Sequence, residues 1–118
     1  MPTMQEIITK ADEFRPNRFS TNVKIGWCAD VDRAMKNDLL PDADINDDDY
    51  EDTQRELLAP QPYSEMYVYY LLAKISYHDD EIDSYNNNML QYNTIWDEYA
   101  RFLQRTRPGA NLKIKNYM

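Results

Sequence analysis

Apolar positions in the second half of the chain fall into one long helical stripe. Between Pro62 and Arg107 there is neither Gly nor Pro, and Tyr67, Leu71, Ile75, His78, Ile82, Tyr85, Met89, Tyr92, Trp96, Tyr99 and Leu103 recur in steps of three and four, the spacing of one helix face. The two halves of this run differ. From Met66 to Ile75 almost every position is apolar or aromatic, which predicts a helix surrounded on all sides. From Asp79 onward the positions off the stripe are Asp79, Asp80, Glu81, Asp83, Asn86, Asn87, Gln91, Asn93, Asp97 and Glu98, so only one side is dry. Unbroken, the run would be a rod roughly 63 Å long at a rise of about 1.5 Å per residue. A compact domain of this length has a radius of gyration of only about 14 Å. Two resolutions are open: the helix breaks, around His78 to Asp80 or at the poor helix formers Asn86-Asn87-Asn88, or neighbouring copies complete its burial. Some of each is expected.

The first half is built of shorter elements. Thr3-Met4-Gln5-Glu6 reads as a capping box, in which hydroxyl and carboxylate each satisfy an orphan amide. Behind it Met4, Ile7, Ile8, Ala11 and Phe14 share one face of a first helix that Arg15-Pro16 closes, because the residue before a proline is pushed out of helical geometry. Ser20 or Thr21 caps a second helix. Its inner stripe reads as Val23, Trp27, Val31, Ala34 or Met35, and Leu39, with Lys24, Asp30, Asp32, Arg33 and Lys36 outside and Trp27 as a core anchor. Gly26 costs about 1 kcal/mol relative to Ala in a helix interior, which a close approach of another backbone would justify. Leu40-Pro41 ends this helix. Leu57 to Pro62 runs extended, and Ser64 caps the long helical segment. Arg107-Pro108-Gly109 stops it, and residues 111–117 alternate polar with apolar, the periodicity of a lone strand that docks on another chain or of a disordered tail.

The expectation is therefore an all-α protein. It has three to four helices with a long, kinked or broken C-terminal helical segment, an acidic loop between the second and third helices, and a flexible C-terminal tail. Residues 1–107 form a single helical domain and residues 108–118 the basic tail. A chain of 118 residues suits one domain with a thin core.

Charge sharpens this picture once it is localised. The net charge is −8, but Asp42, Asp44, Asp47, Asp48, Asp49, Glu51 and Asp52 lie together in the acidic loop. Past Glu98 there are no acids, and Arg101, Arg105, Arg107, Lys113 and Lys115 contribute +5. An acidic loop and a basic tail suit head-to-tail contact between copies. They read equally as two solvated segments that never meet.

Candidate chemistry is sparse. Asp42-Ala43-Asp44-Ile45-Asn46 opens like a calcium loop, but Asp47 stands where the turn needs Gly and Thr53 where a bidentate Glu belongs. The segment reads as solvated and no metal or other cofactor is expected. The single Cys28 has no disulfide partner. The single His78 has carboxylates beside it but no nucleophile or oxyanion donors, so it reads as a core or interface histidine and the chain as no enzyme. The ten tyrosines lack interleaved basic residues for nucleic acid and suit a protein interface instead. With no long apolar run and no charged-then-apolar leader, an intracellular protein without membrane contact is expected.

The segments Glu56–Ile75 (ELLAPQPYSEMYVYYLLAKI), Glu81–Asn93 (EIDSYNNNMLQYN) and Tyr99–Thr106 (YARFLQRT), with the opening Met4–Asn17, resemble head-tail connector proteins of long-tailed phages and prophages of Gram-positive hosts. These are also called adaptor or head-completion proteins. The likeness covers most of the chain except the acidic loop and the tail, and rests on packing motifs rather than a chemical signature. Where related sequences often carry Asn-Gly, this chain has Asp79-Asp80.

The resemblance implies a virion structural protein of the neck, in the host cytoplasm before assembly. It would form a ring, commonly of twelve copies, between the portal protein and the tail-completion proteins, with DNA only as passing cargo. Candidate interface residues are Tyr69, Tyr70, Tyr77, Tyr85, Asn88 and Tyr92. Candidate contacts to the portal or a neighbour are Arg105, Arg107, Lys113 and Lys115. The alternative is an acidic helical binding module that inhibits or regulates a host or phage protein.

Overall fold

A computed structural model of the protein describes residues 3–40 and 56–106. They form four helices: α1 (Met4–Phe14), α2 (Thr21–Asp38), α3 (Glu65–His78) and α4 (Ile82–Thr106). The acidic loop and the tail beyond Thr106 lie outside the described residues.

The expected rod is broken, and at the first of the two places foreseen. The greatest extent of the molecule is 44 Å, too short for the unbroken run. α3 ends with the Glu81 amide donating to the Ser76 carbonyl (2.9 Å) and the Asp80 amide to that of Tyr77 (3.2 Å). Asp80 sits at φ 59° between them, so this is a Schellman cap with a left-handed residue at its corner. Asn86-Asn87-Asn88 stays helical inside α4, because packing outweighs weak propensity.

The chain folds back at this cap, and α3 and α4 pack as an antiparallel hairpin. Its seam carries a ladder of six tyrosines a heptad apart on each arm: Tyr63 in the turn before α3, Tyr70 and Tyr77 on α3, and Tyr85, Tyr92 and Tyr99 on α4. Tyr77 meets Tyr85 with ring centroids 5.6 Å apart, Tyr70 meets Tyr92 at 5.1 Å, and Tyr63 meets Tyr99 at 4.9 Å. Such tilted pairs contribute about 0.5–1.5 kcal/mol each beyond the area they bury. Trp96, fully buried, packs beside Tyr92.

Helices α1 and α2 lie on α3 and touch each other, whereas α4 lies against α3 alone among the helices. The helix surrounded on all sides is therefore α3: Met66, Tyr67, Val68, Leu71, Ala73 and Ile75 expose 1% or less. Each large apolar side chain so buried stabilises by about 1.5–3 kcal/mol.

Local signals hold at several ends. The Thr3 hydroxyl accepts from the Glu6 amide (3.3 Å) and the Ser20 hydroxyl from that of Val23 (3.3 Å). α1 stops at Arg15, before Pro16. Ser64 does not cap α3 through its side chain. It is itself helical in conformation, and the turn before it feeds the helix through backbone bonds from Met66 to Tyr63 (3.1 Å) and Tyr67 to Ser64 (3.1 Å).

α2 is rotated from the stripe expected of it. Val23 is 42% exposed and Trp27 only half-buried, while Lys24 and Asp32, expected outside, are 5% and 0% exposed. Two polar contacts hold this rotation. Lys24 Nζ donates to both oxygens of Asp12 on α1 (2.9 Å each). The Asp32 carboxylate accepts from the Tyr67 hydroxyl on α3 (2.5 Å) and the Leu58 amide (3.4 Å), and the same hydroxyl accepts from the Ala59 amide (2.9 Å). Burial, reinforced by Asp32, raises the Tyr67 phenol well above its usual range, which keeps it a donor. A binary pattern cannot foresee this, because it sends every charge outward.

Phe14 and Ile82 depart from their stripes as well, at 65% and 70% exposed; Phe14 is the last residue of α1 and Ile82 the first of α4.

Two stability outcomes follow from these contacts. Asp80→Gly, which removes the steric cost of a left-handed corner, raises the unfolding free energy by about 0.5–1 kcal/mol in urea titration; a loss would mean that the cap geometry is wrong. Tyr67→Phe takes a donor from a buried carboxylate and lowers it by about 1.5–3 kcal/mol, and an unchanged midpoint would count against the network.

Candidate interaction surface

Because α1 and α2 flank α3 and α4 lies across from them, two grooves run beside α3. The first, about 590 Å³, is lined by Phe14 and Arg15 at the end of α1, Glu65, Val68, Tyr69 and Leu72 of α3, and Glu81 and Asn88 at the start of α4. The second lies between α2 and α4. It is a hollow of about 260 Å³ lined by Asp30, Val31, Ala34, Tyr70, Met89, Tyr92 and Asn93; a separate hollow of about 330 Å³ at the hairpin turn is lined by Tyr77, His78, Asp80, Glu81, Ile82 and Tyr85.

The six candidate interface residues divide between these places. Tyr69 and Asn88 line the first groove, Tyr70 and Tyr92 the second, and Tyr77 and Tyr85 the hollow at the turn. Four of the six are also rungs of the tyrosine ladder, so much of their surface is covered by the hairpin itself: Tyr92 is 3% exposed, Tyr70 and Tyr85 are half-buried, and only Tyr77 remains largely open, at 61%. Asp30 and Tyr85, after burial itself, help raise the Tyr70 phenol. Arg105 lies exposed in the last turn of α4. Arg107, Lys113, Lys115 and the acidic loop (Asp42, Asp44, Asp47, Asp48, Asp49, Glu51, Asp52) fall outside the described residues.

The turn between α3 and α4 concentrates both charge and exposed apolar surface. Arg15 reaches across from α1 to pair with Asp79 (3.0 Å) and Glu81 (2.7 Å) and donates to the Ser76 hydroxyl (3.2 Å). The hydrogen bond to Glu81 lowers that carboxyl and raises the guanidinium. Lys10 pairs with Glu65 at the other end of α3. No ion pair among the described residues involves Asp80 or Asp83. Beside these acids stand Tyr77 and Ile82, two of the most exposed large apolar side chains.

His78, expected on the inner stripe, is exposed at the end of α3. Its ring stacks on Trp27 (5.9 Å, 19°) and meets Phe19 at 5.3 Å and Tyr77 at 5.5 Å. Trp27 is half-buried and packs against the core as expected, while its ring also joins this aromatic cluster at the core's edge. Gly26, one residue before it, is exposed, and a Cβ built there would meet nothing within 4 Å. The close approach expected at this glycine is not made among the described residues.

Cys28 is buried, and burial with Asp32 nearby pushes its thiol well above the ordinary range, which makes it a poor nucleophile. Among the described residues no cluster of His, Cys, Asp or Glu is arranged to hold a metal ion, and no helix is long and apolar enough to cross a membrane. Ile82 and Phe14 were missed as surface residues because both fit a helical stripe; the signal that marks them is their position at a predicted helix end.

The fold and this surface define a four-helix, all-α protein with an aromatic, acidic turn at one end of its longest hairpin. No protein-family profile, curated protein or solved structure matches the chain.

Gly26→Ala raises monomer stability by about 0.5–1 kcal/mol, since the helix gains propensity and the methyl meets open space. Thermal or urea unfolding measures it, and a loss would show that this backbone is closely approached after all.

Proposed function

We propose that the protein is a structural subunit that assembles with copies of itself into a ring between the portal and the tail of a tailed phage, with DNA passing through the lumen. The reading starts from the resemblance of Glu56–Ile75, Glu81–Asn93 and Tyr99–Thr106 to head-tail connectors. The observation that carries it is the hairpin turn, where Tyr77 and Ile82 stand 61% and 70% exposed among Asp79, Asp80, Glu81 and Asp83. At the opposite end of α4 are Arg101 and Arg105. Apolar contact supplies the association energy, and charge of opposite sign at the two ends fixes its direction. A contact between two different patches is heterologous, and such contacts close into rings when the rotation permits. Twelve copies is the number the resemblance implies.

Electron microscopy of the full chain at high concentration, alone and with a portal protein encoded beside it, tests the reading. Rings on the portal are expected. Ile82→Glu, at an exposed position, changes monomer stability by less than about 0.5 kcal/mol and abolishes the rings. Monomers at every loading ratio would remove the proposal.

A further inference from the structure

The hairpin turn is better suited to one occupant than a bare hydrophobic patch would be. Its hollow of about 330 Å³ has Tyr77, Ile82 and Tyr85 as apolar lining and Asp80 and Glu81 at the rim. Asp83 lies in the adjacent first turn of α4. Arg15 engages Asp79 and Glu81 but neither of the other two acids. A ligand matched to this site presents small or medium apolar side chains inward and cations a few ångströms away. Residues 111–117 have that composition: Leu112 and Ile114 alternate with Lys113 and Lys115, and no acid follows Glu98. Were the segment to dock extended, alternate side chains would fall on opposite faces, so Leu112 and Ile114 would enter together and the long flexible stems of Lys113 and Lys115 would carry their charges back to the rim.

The reach of the chain decides whose segment it is. Along α4, Ile82 lies about 36 Å from Thr106 at the helical rise. The residues from Thr106 to Ile114, fully extended, span at most about 29 Å. The backbone of a chain's own Ile114 therefore stops short of that of its own Ile82. A neighbouring copy has no such limit.

We propose that the basic C-terminal segment of one copy, residues 111–117, docks across the α3–α4 turn of the next, with Leu112 and Ile114 on Tyr77 and Ile82 and with Lys113 and Lys115 on Asp80 and Asp83. This deepens the ring assembly proposed above and rests on it for its biological setting. Each copy offers one segment and one turn, so the contact is directional and passes from copy to copy. The two halves of the contact lie at opposite ends of α4, so within one molecule they would meet only with the segment drawn out to nearly its full length along the helix.

Trapping between two full-length forms tests this contact, one carrying Ile82→Cys and the other Ile114→Cys. Cys28 is buried in both, and Ile82 is exposed enough for its replacement to leave the melting temperature unchanged. Under mild oxidation the mixed pair is expected to form a disulfide-linked dimer about tenfold faster than a control pair of Leu90→Cys with Ile114→Cys, Leu90 being comparably exposed but two turns further along α4. Reversing charge with Asp80→Lys and Asp83→Lys in one form, or with Lys113→Glu and Lys115→Glu in the other, is expected to lower that rate about tenfold, and combining the two to restore it.

Equal rates for the two pairs, or a failure of the combined reversal to restore trapping, overturn the proposal. So does faster closure within a single chain carrying both cysteines at high dilution, which would make the occupant the chain's own segment. Rings on the portal without trapping sink this contact and leave the connector reading standing. Trapping without rings does the reverse.

Discussion

The helix α3 has almost no polar face to give to water, and the other three helices are arranged to cover it. α1 and α2 lie along one side and α4 returns along the other. A helix this apolar is stable in water only as the centre of a bundle, and a chain of this length has just enough helix to build one. The covering is achieved by breaking a long helical run at its acidic centre and folding the second half back on the first. What an unbroken helix would have left for neighbours to bury, the hairpin buries within one molecule. Among the described residues the large apolar side chains left most exposed are Phe14, Val23, Tyr77, Ile82 and Leu90.

The hairpin seam is mostly tyrosine, and this choice has a physical consequence. A tyrosine ring packs like a phenylalanine but carries a polar tip that tolerates water at the seam's edge. The ladder can therefore run from the fully buried middle of the molecule to its exposed end without a change of residue type. Tyr92 is buried, Tyr70 and Tyr85 are half-covered and Tyr77 stands open. The graded exposure makes one structural device serve both packing and contact. It also explains why tyrosines that look like an interface in the sequence prove to be largely hairpin seam.

Charge plays two roles that the sequence does not distinguish. Inside, Asp32 and Lys24 are partnered by Tyr67 and Asp12 and decide how α2 is turned against α3 and α1. At the turn, Arg15 ties the end of α1 to Asp79 and Glu81 and pins the hairpin's corner to the rest of the bundle, while Asp80 and Asp83 face outward. The polarity of α4, acidic at its start and basic at its end, also favours its own macrodipole.

From its sequence alone the chain declared three to four helical segments, the stops at Pro16 and before Pro41, the all-round burial of α3, and a break in the long run at one of two places, of which the structure takes the one near His78 to Asp80. These are local or periodic properties, set by where apolar side chains recur and where backbone amides lose their partners. The sequence also held the ladder, as tyrosines a heptad apart on either side of that break, but nothing in periodicity says that two such rows will meet. Tertiary structure decided the rotation of α2, the inward turn of Asp32 and Lys24, the stacking of exposed His78 on half-buried Trp27, and the exposure of Phe14 and Ile82. Each of these depends on which residue of a distant helix comes within reach, and a pattern read along one chain carries no information about that distance.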